Sequence, residues 1–235
     1  KDLTIQLKYN LHFKSNNLIL LVFIGNEEKG IELLNKIKIY SQIESCSFAF
    51  CINYKFVELF KEKIIKYNFD SFIIYSSNEF GNDITPSLLV YDEINKMIDF
   101  TYIIKIHTKT DNTIFNNYTD YLLNSSLHNL LYFNHNKKYD NCNCIGFSYN
   151  CINNDFFYNK SRFNTNLYTK YENKINKNLF VPNTIFLTYK NNFTNVLDFL
   201  KNNYKTIFLQ NTYDNNSINC NESYVHFMER LFGIL

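Results

Sequence analysis

The sequence predicts an α/β fold, a mostly parallel central sheet flanked by helices. Three observations carry that prediction. Four short apolar runs rich in β-branched residues alternate with stretches of helical spacing between residues 18 and 107. Each run ends in polar residues. The chain has 235 residues, 46% hydrophobic and 20% charged, which is enough for one substantial core at an ordinary globular balance. Strand and helix in alternation mean β-α-β units with right-handed crossovers. The polar strand ends then gather on one rim, where open α/β sheets bind their ligands.

The elements follow in order. Residues 1–16 are mixed and polar, an edge strand or an arm. Leu18-Ile-Leu-Leu-Val-Phe-Ile24 is the first strand, stopped by Gly25-Asn26-Glu27. Ile31, Leu34 and Ile37 give residues 28–41 helical spacing. Ser47 to Ile52 is the second strand, ending at Asn53; Phe56, Leu59, Phe60, Ile64 and Ile65 mark the second helix. Phe72-Ile-Ile-Tyr75 is the third strand. Pro86 suits the first turn of the next helix, where its missing N–H costs nothing. That helix draws its apolar face from Leu88, Leu89, Tyr91, Ile94 and Ile98. The fourth strand is Tyr102 to Ile106, ending in His107-Thr-Lys-Thr-Asp111. Beyond it the pattern predicts a helix over 118–133, strands over 144–148 and 180–188, and a polar loop over 150–178. A helix over 193–203, a brief strand over 206–209 and a last helix over 222–232 complete the chain. No internal repeat and no domain boundary interrupts it, so residues 1–235 read as one domain.

Composition narrows the function. The net charge is +2 with no clustered basic stretch, so no nucleic-acid partner is expected. The longest apolar run, Leu18 to Ile24, is too short to span a bilayer, and no signal-peptide pattern precedes it. The six cysteines include no C-x-x-C pair, which argues against a zinc framework and for reduced thiols in the cytosol. The surplus of Asn, Lys, Ile and Tyr fits an A/T-rich genome and carries no function. The first residue is Lys, not Met, which suggests a piece of a longer protein. Gly25-Asn26-Glu27 lacks the glycine-rich fingerprint of a dinucleotide enzyme.

The candidate residues lie at the strand ends and on the last helix. Asn26, Asn53 and Asn78 offer neutral hydrogen bonds at the ends of the first three strands. Gly81 permits a tight turn before Asp83; Asp83 is either a ligand carboxylate or the cap of the helix at Pro86. His107, Lys109 and Asp111 end the fourth strand. Lys109 is a point charge suited to phosphate or the partner of a helix-end carboxylate. Glu222, His226 and Glu229 share one helical face. Arg230 is adjacent, and the alternative there is a solvated helix with an ordinary Glu–Arg contact.

Four segments stand in order: Asn78-Glu-Phe-Gly-Asn-Asp-Ile-Thr-Pro86, Lys105-Ile-His-Thr-Lys-Thr-Asp111, Phe180-Val-Pro-Asn-Thr-Ile-Phe186 and His226-Phe-Met-Glu-Arg-Leu-Phe232. Together they resemble the rhamnan synthesis protein F family of glycosyltransferase-like proteins, over roughly residues 18–235. That family has a G-[RN]-D-I-x-P segment, an H-T-K motif, a strand with Gly-Thr-Met-Phe and an H-x-x-E-R helix. Here Pro182-Asn183 stand where the family has Ala-Gly, and Phe115 or Tyr118 where it commonly has Trp.

The resemblance implies a GT-A-like fold, with a nucleotide-sugar half near 17–111 and an acceptor half near 112–235. It implies transfer of a sugar, rhamnose or another deoxyhexose, from a UDP- or dTDP-linked donor to a glycan or protein-linked acceptor. Such folds hold Mn2+ or Mg2+ on an Asp-x-Asp motif after the fourth strand. Only Asp111 offers a carboxylate there, so either it serves a metal or Lys109 takes part of the metal's role. By the same resemblance the base is a carboxylate at the start of a late helix: Glu222 first, then Glu229, then Asp111. The second Asp is missing, which supports an alternative: a catalytically silent glycan-binding or scaffolding domain.

Overall fold

A computed structural model describes residues 3–10, 17–77, 83–136, 142–151, 178–210 and 224–235. Seven strands form a single sheet in the order β1-β4-β3-β2-β5-β9-β6. Its centre is β2 (Leu18–Ile24), β3 (Ser47–Asn53), β4 (Phe72–Ser77) and β5 (Tyr102–His107), all parallel to one another. These strands are buried on both faces, so their sequences are continuous apolar runs rather than alternations. β1 (Leu3–Tyr9) adds an antiparallel edge on β4. β9 (Phe186–Tyr189) lies antiparallel to β5, and β6 (Cys144–Ile145) antiparallel to β9. β7 (Asn150–Cys151) and β8 (Leu179–Phe180) make a separate ribbon.

The chain lays down β2, β3 and β4 outward in one direction, then returns to place β5 on the other side of β2. The order reverses between β2 and β5. Ligands of open α/β sheets sit in the crevice outside the carboxyl ends at such a point.

The helices pack in two groups. α1 (Glu27–Ile43) lies on β2 and meets α4 (Asn112–Leu123), and α2 (Val57–Tyr67) lies on β3. α3 (Ile84–Ile94) covers β2 and β3 and meets both α6 (Lys190–Gln210) and α7 (Tyr224–Ile234). Phe186 of β9 packs on Phe193 of α6 and Phe232 of α7, at 6.2 and 5.0 Å between ring centroids. Lys105 of β5 pairs with Phe186 in register. Directly opposed residues share a face, so Lys105 points toward the α6 and α7 layer.

Four predicted elements are corrected. The helix expected over 118–133 is two, α4 and α5 (Leu127–Asn136). Ser126 starts the second: its hydroxyl accepts from Asn129 N at 3.3 Å and its carbonyl from Leu130 N at 3.0 Å. The strand expected over 180–188 breaks at Pro182–Thr184, a single 3-10 turn, because Pro182 donates no hydrogen bond and Asn183 and Thr184 take positive φ. The strand expected over 144–148 stops at Ile145. No strand forms over 206–209, where α6 simply continues; strand propensity is weak against a helix already propagating. Within the loop expected over 150–178, residues 152–177 lie outside the described residues, and so do Asn78, Gly81 and Glu222.

Among the described residues no helix is long and apolar enough to cross a membrane. Cys46, Cys51, Cys142 and Cys144 form no disulfide among the described residues.

Candidate functional site

Lys105 is the anomaly from which the site is built. It lies in the middle of β5 between Ile104 and Ile106 and has no solvent exposure. An unpaired charge in such a place would cost several kcal/mol, so its partners define a region. Nζ forms an ion pair with the Asp83 carboxylate and donates to Thr184 O at 3.0 Å. Asp83 was a candidate cap for α3, but its side chain makes no capping bond. Its backbone carbonyl instead accepts from Ser87 Oγ at 2.6 Å, while the carboxylate turns inward. There it also accepts from Thr184 Oγ1 at 2.6 Å.

The 3-10 turn before β9 meets this pair from the other side. His107 Nε2 lies 2.7 Å from Asn183 O. A carbonyl can only accept, so the ring proton sits on Nε2. His107 Nδ1 faces Asp83 Oδ1 at 3.6 Å. Lys109 Nζ donates to Asn183 Oδ1 at 3.0 Å. From α7, Glu229 Oε1 accepts from Asn183 N at 2.6 Å, and Glu229 Oε2 accepts from Arg230 Nη1 at 3.1 Å. The Arg230 guanidinium lies 4.7 Å over the Phe180 ring. Glu229 is held there because Met228, Leu231 and Phe232 are buried. At Gly233 the helix approaches β8 so closely that any Cβ would collide with the Leu179 backbone.

The network therefore joins four distant segments: the start of α3, the end of β5, the turn at 182–184, and α7. Of the candidates read from sequence it unites Asp83, His107, Lys109, Glu229 and Arg230. Three others are engaged locally. Asn26 Oδ1 caps α1 through Lys29 N at 2.9 Å, Asn53 Oδ1 accepts from Lys55 N at 3.1 Å, and Asp111 Oδ1 caps α4 through Ile114 N at 3.0 Å. His226 lies on α7, and its side chain, like Asn78, Gly81 and Glu222, falls outside what is described.

Burial governs the titration. It opposes ionisation of Asp83, but the charge His107 carries once protonated in acid, the Lys105 ammonium and hydrogen bonds from Lys105 and Thr184 outweigh it, holding the carboxyl well below the usual range. His107 is pushed down to about 4, first by burial, with the pull of the Asp83 carboxylate opposing and Lys105 and Lys109 assisting. The ring is neutral at pH 7, so Lys105 balances Asp83. Burial lowers the Lys105 ammonium against the same carboxylate. Burial raises Glu229, opposed by Arg230 and the Asn183 N–H. Among the described residues three cationic side chains thus face two carboxylates, a balance that favours an anion.

Gly25 and Thr108 link the neighbouring strand ends. Gly25 N donates to Thr108 Oγ1 at 3.0 Å, and Thr108 N to Phe23 O at 3.1 Å. The carboxyl ends of β2 and β5 are tied together at the point where strand order reverses.

Among the described residues no three His, Cys, Asp or Glu side chains gather as metal ligands. Asp111, the one candidate ligand, uses an oxygen on its own helix. The described donor set does not by itself fit Mn2+ or Mg2+.

Sequence reasoning missed Lys105, Asn183 and Thr184 as site residues. The signal for Lys105 was present: a lysine flanked by isoleucines in a buried strand needs a buried partner. For Asn183 the signal was Pro-Asn, a turn pair, inside an apparent strand.

An opening of about 490 Å³ lies at the other end of β5, away from this network, lined by Tyr102, Tyr189, Asn143 and Asn192 among others. Its described lining has no Asp, Glu, Lys, Arg or His side chain. Compared with protein-family models, curated proteins and solved structures, the chain matches none.

Proposed function

We propose that the chain is a glycosyltransferase of the rhamnan synthesis protein F type with a GT-A-like fold. It would move a sugar, rhamnose or another deoxyhexose, from a UDP- or dTDP-linked donor to a glycan or protein-linked acceptor. One observation carries the reading. The four segments that suggested the family from sequence are far apart in the chain, yet Asp83, Lys105, His107, Lys109, Thr184, Glu229 and Arg230 from those segments share one polar network. The network stands at the carboxyl end of β5, beside the reversal of strand order.

In the reaction the bond from the anomeric carbon to the diphosphate breaks and its electron pair leaves with the nucleoside diphosphate. A bond to the acceptor oxygen forms, and the acceptor proton passes to a base. Lys109 is the half-buried cation that meets the leaving phosphate charge. Asp83 and Lys105 hold Thr184, next to Asn183, the partner of Lys109. Both oxygens of Glu229 are engaged, which suits a positioning group better than the base. Glu222 remains the first choice for that role.

A second reading is a silent glycan-binding or scaffolding domain. It is favoured by the capping role of Asp111, which leaves no carboxylate pair after β5. Calorimetry and donor hydrolysis with a panel of UDP- and dTDP-linked sugars separate the two. The glycosyltransferase reading expects at least one donor to bind and to be hydrolysed slowly, with Lys109→Ala weakening binding about tenfold or more. A chain that binds no nucleotide sugar contradicts it.

A further inference from the structure

Asn183 has φ +68° and Thr184 φ +54°. This left-handed region favours glycine; among other residues Asn tolerates it best. The backbone here is gripped on every side: Asn183 N by Glu229, Asn183 O by His107, Thr184 O by Lys105. Glycine would satisfy all three bonds without strain. The Asn183 side chain therefore needs its own explanation, and Lys109 supplies one. Oδ1 accepts from Lys109 Nζ at 3.0 Å. An ammonium has three protons, so this bond fixes its position and leaves two protons to donate. A neutral amide leaves the charge intact, whereas a carboxylate in the same place would cancel it.

We propose that Asn183 is a positioning residue for an anionic ligand: its amide holds the Lys109 ammonium, charge intact, against the phosphoryl group of a nucleoside diphosphate. This rests on the reading of the network as the donor site.

The test compares the native chain with Asn183→Gly, Asn183→Asp and Lys109→Met, and with the double variant Asn183→Asp/Lys109→Met. UDP and dTDP are the calorimetric probes, and thermal melting reports folding. For a residue that merely makes the turn, Gly melts at least as high as Asn, and Gly and Asp bind the probe as the native chain does. A positioning role predicts otherwise. Asn183→Gly keeps or raises its melting temperature yet binds the tighter probe about threefold to tenfold more weakly. Asn183→Asp binds more than tenfold more weakly, and this extra loss disappears in the Lys109→Met background. Native-like binding by both Asn183 variants overturns the proposal and leaves the donor site standing. Equal losses from Asn183→Asp with and without Lys109 also overturn it, because the effect then does not pass through the ammonium. Failure of the native chain to bind either probe removes the donor-site reading and this proposal with it.

Discussion

Strands β2, β3 and β5 look alike in sequence: each is a short apolar run with a polar tip. The structure treats their tips differently. Asn26 and Asn53 bond to backbone N–H groups two or three residues ahead. His107 and Lys109 bond to Asn183, more than seventy residues away, and Lys105 to Asp83 and Thr184. A polar residue at a strand end is a helix or turn cap unless something else pulls on it. What sets β5 apart is charge inside the strand and partners far away in the chain.

That contrast can be broken. Lys105→Met strands the mostly enclosed Asp83 carboxylate, and removing one member of a buried pair typically costs about 3–5 kcal/mol. Urea unfolding should register a loss of that size, and Lys105→Met combined with Asp83→Asn should recover much of it. A loss below about 1 kcal/mol would mean that the pair is not enclosed as described.

The pH dependence sharpens the same point. His107 titrates near 4 in the folded chain, against about 6.5 for an ordinary histidine. Its folded value is depressed, so the fold prefers the neutral ring and the unfolded chain protonates first. Stability is present in full above about pH 6.5 and drains away as pH falls toward 4, by up to about 3 kcal/mol. Asp83, also depressed, adds a further loss only below the usual carboxylate range. Unfolding free energies at pH 7 and pH 4 should therefore differ less in His107→Gln than in the native chain. An unchanged difference would show that the ring is not the source.

The caps give the smallest effect and the control. Asn26→Ala and Asp111→Ala should each cost about 1 kcal/mol and leave nucleotide binding unaltered. A cap variant that abolished binding would put the ligand against β2 or α4 rather than the network.

Much of this architecture was legible in the chain itself. Continuous apolar runs marked β2 to β5, and period-3.6 spacing marked α1, α2 and α3. The rim followed from their parallel order. The second half was less legible for physical reasons. Ser126 restarts a helix inside a stretch whose apolar spacing hides the break. Pro182 and Asn183 fold a turn into what reads as one strand. Thr206 to Leu209 suit a strand, but α6 carries through them. In the site, Asp83, His107, Lys109, Glu229 and Arg230 were named from residue chemistry and family resemblance. Their mutual contacts depend on which sheet face each segment meets, and local pattern does not encode that. Lys105 was hidden by its apolar neighbours, although those neighbours are what make it informative.

The proposal stands or falls on whether the carboxyl end of β5 receives the phosphates of a nucleotide sugar. The most direct measurement is a crystal structure of the chain with UDP and Mn2+. Phosphate oxygens are expected within about 2.7–3.2 Å of Lys109 Nζ, beside Asn183. The uncharged cleft at Tyr102 and Tyr189 lies about 17 Å away along the strand. A nucleotide found there, or on any surface remote from Lys109, would contradict a donor site at the end of β5.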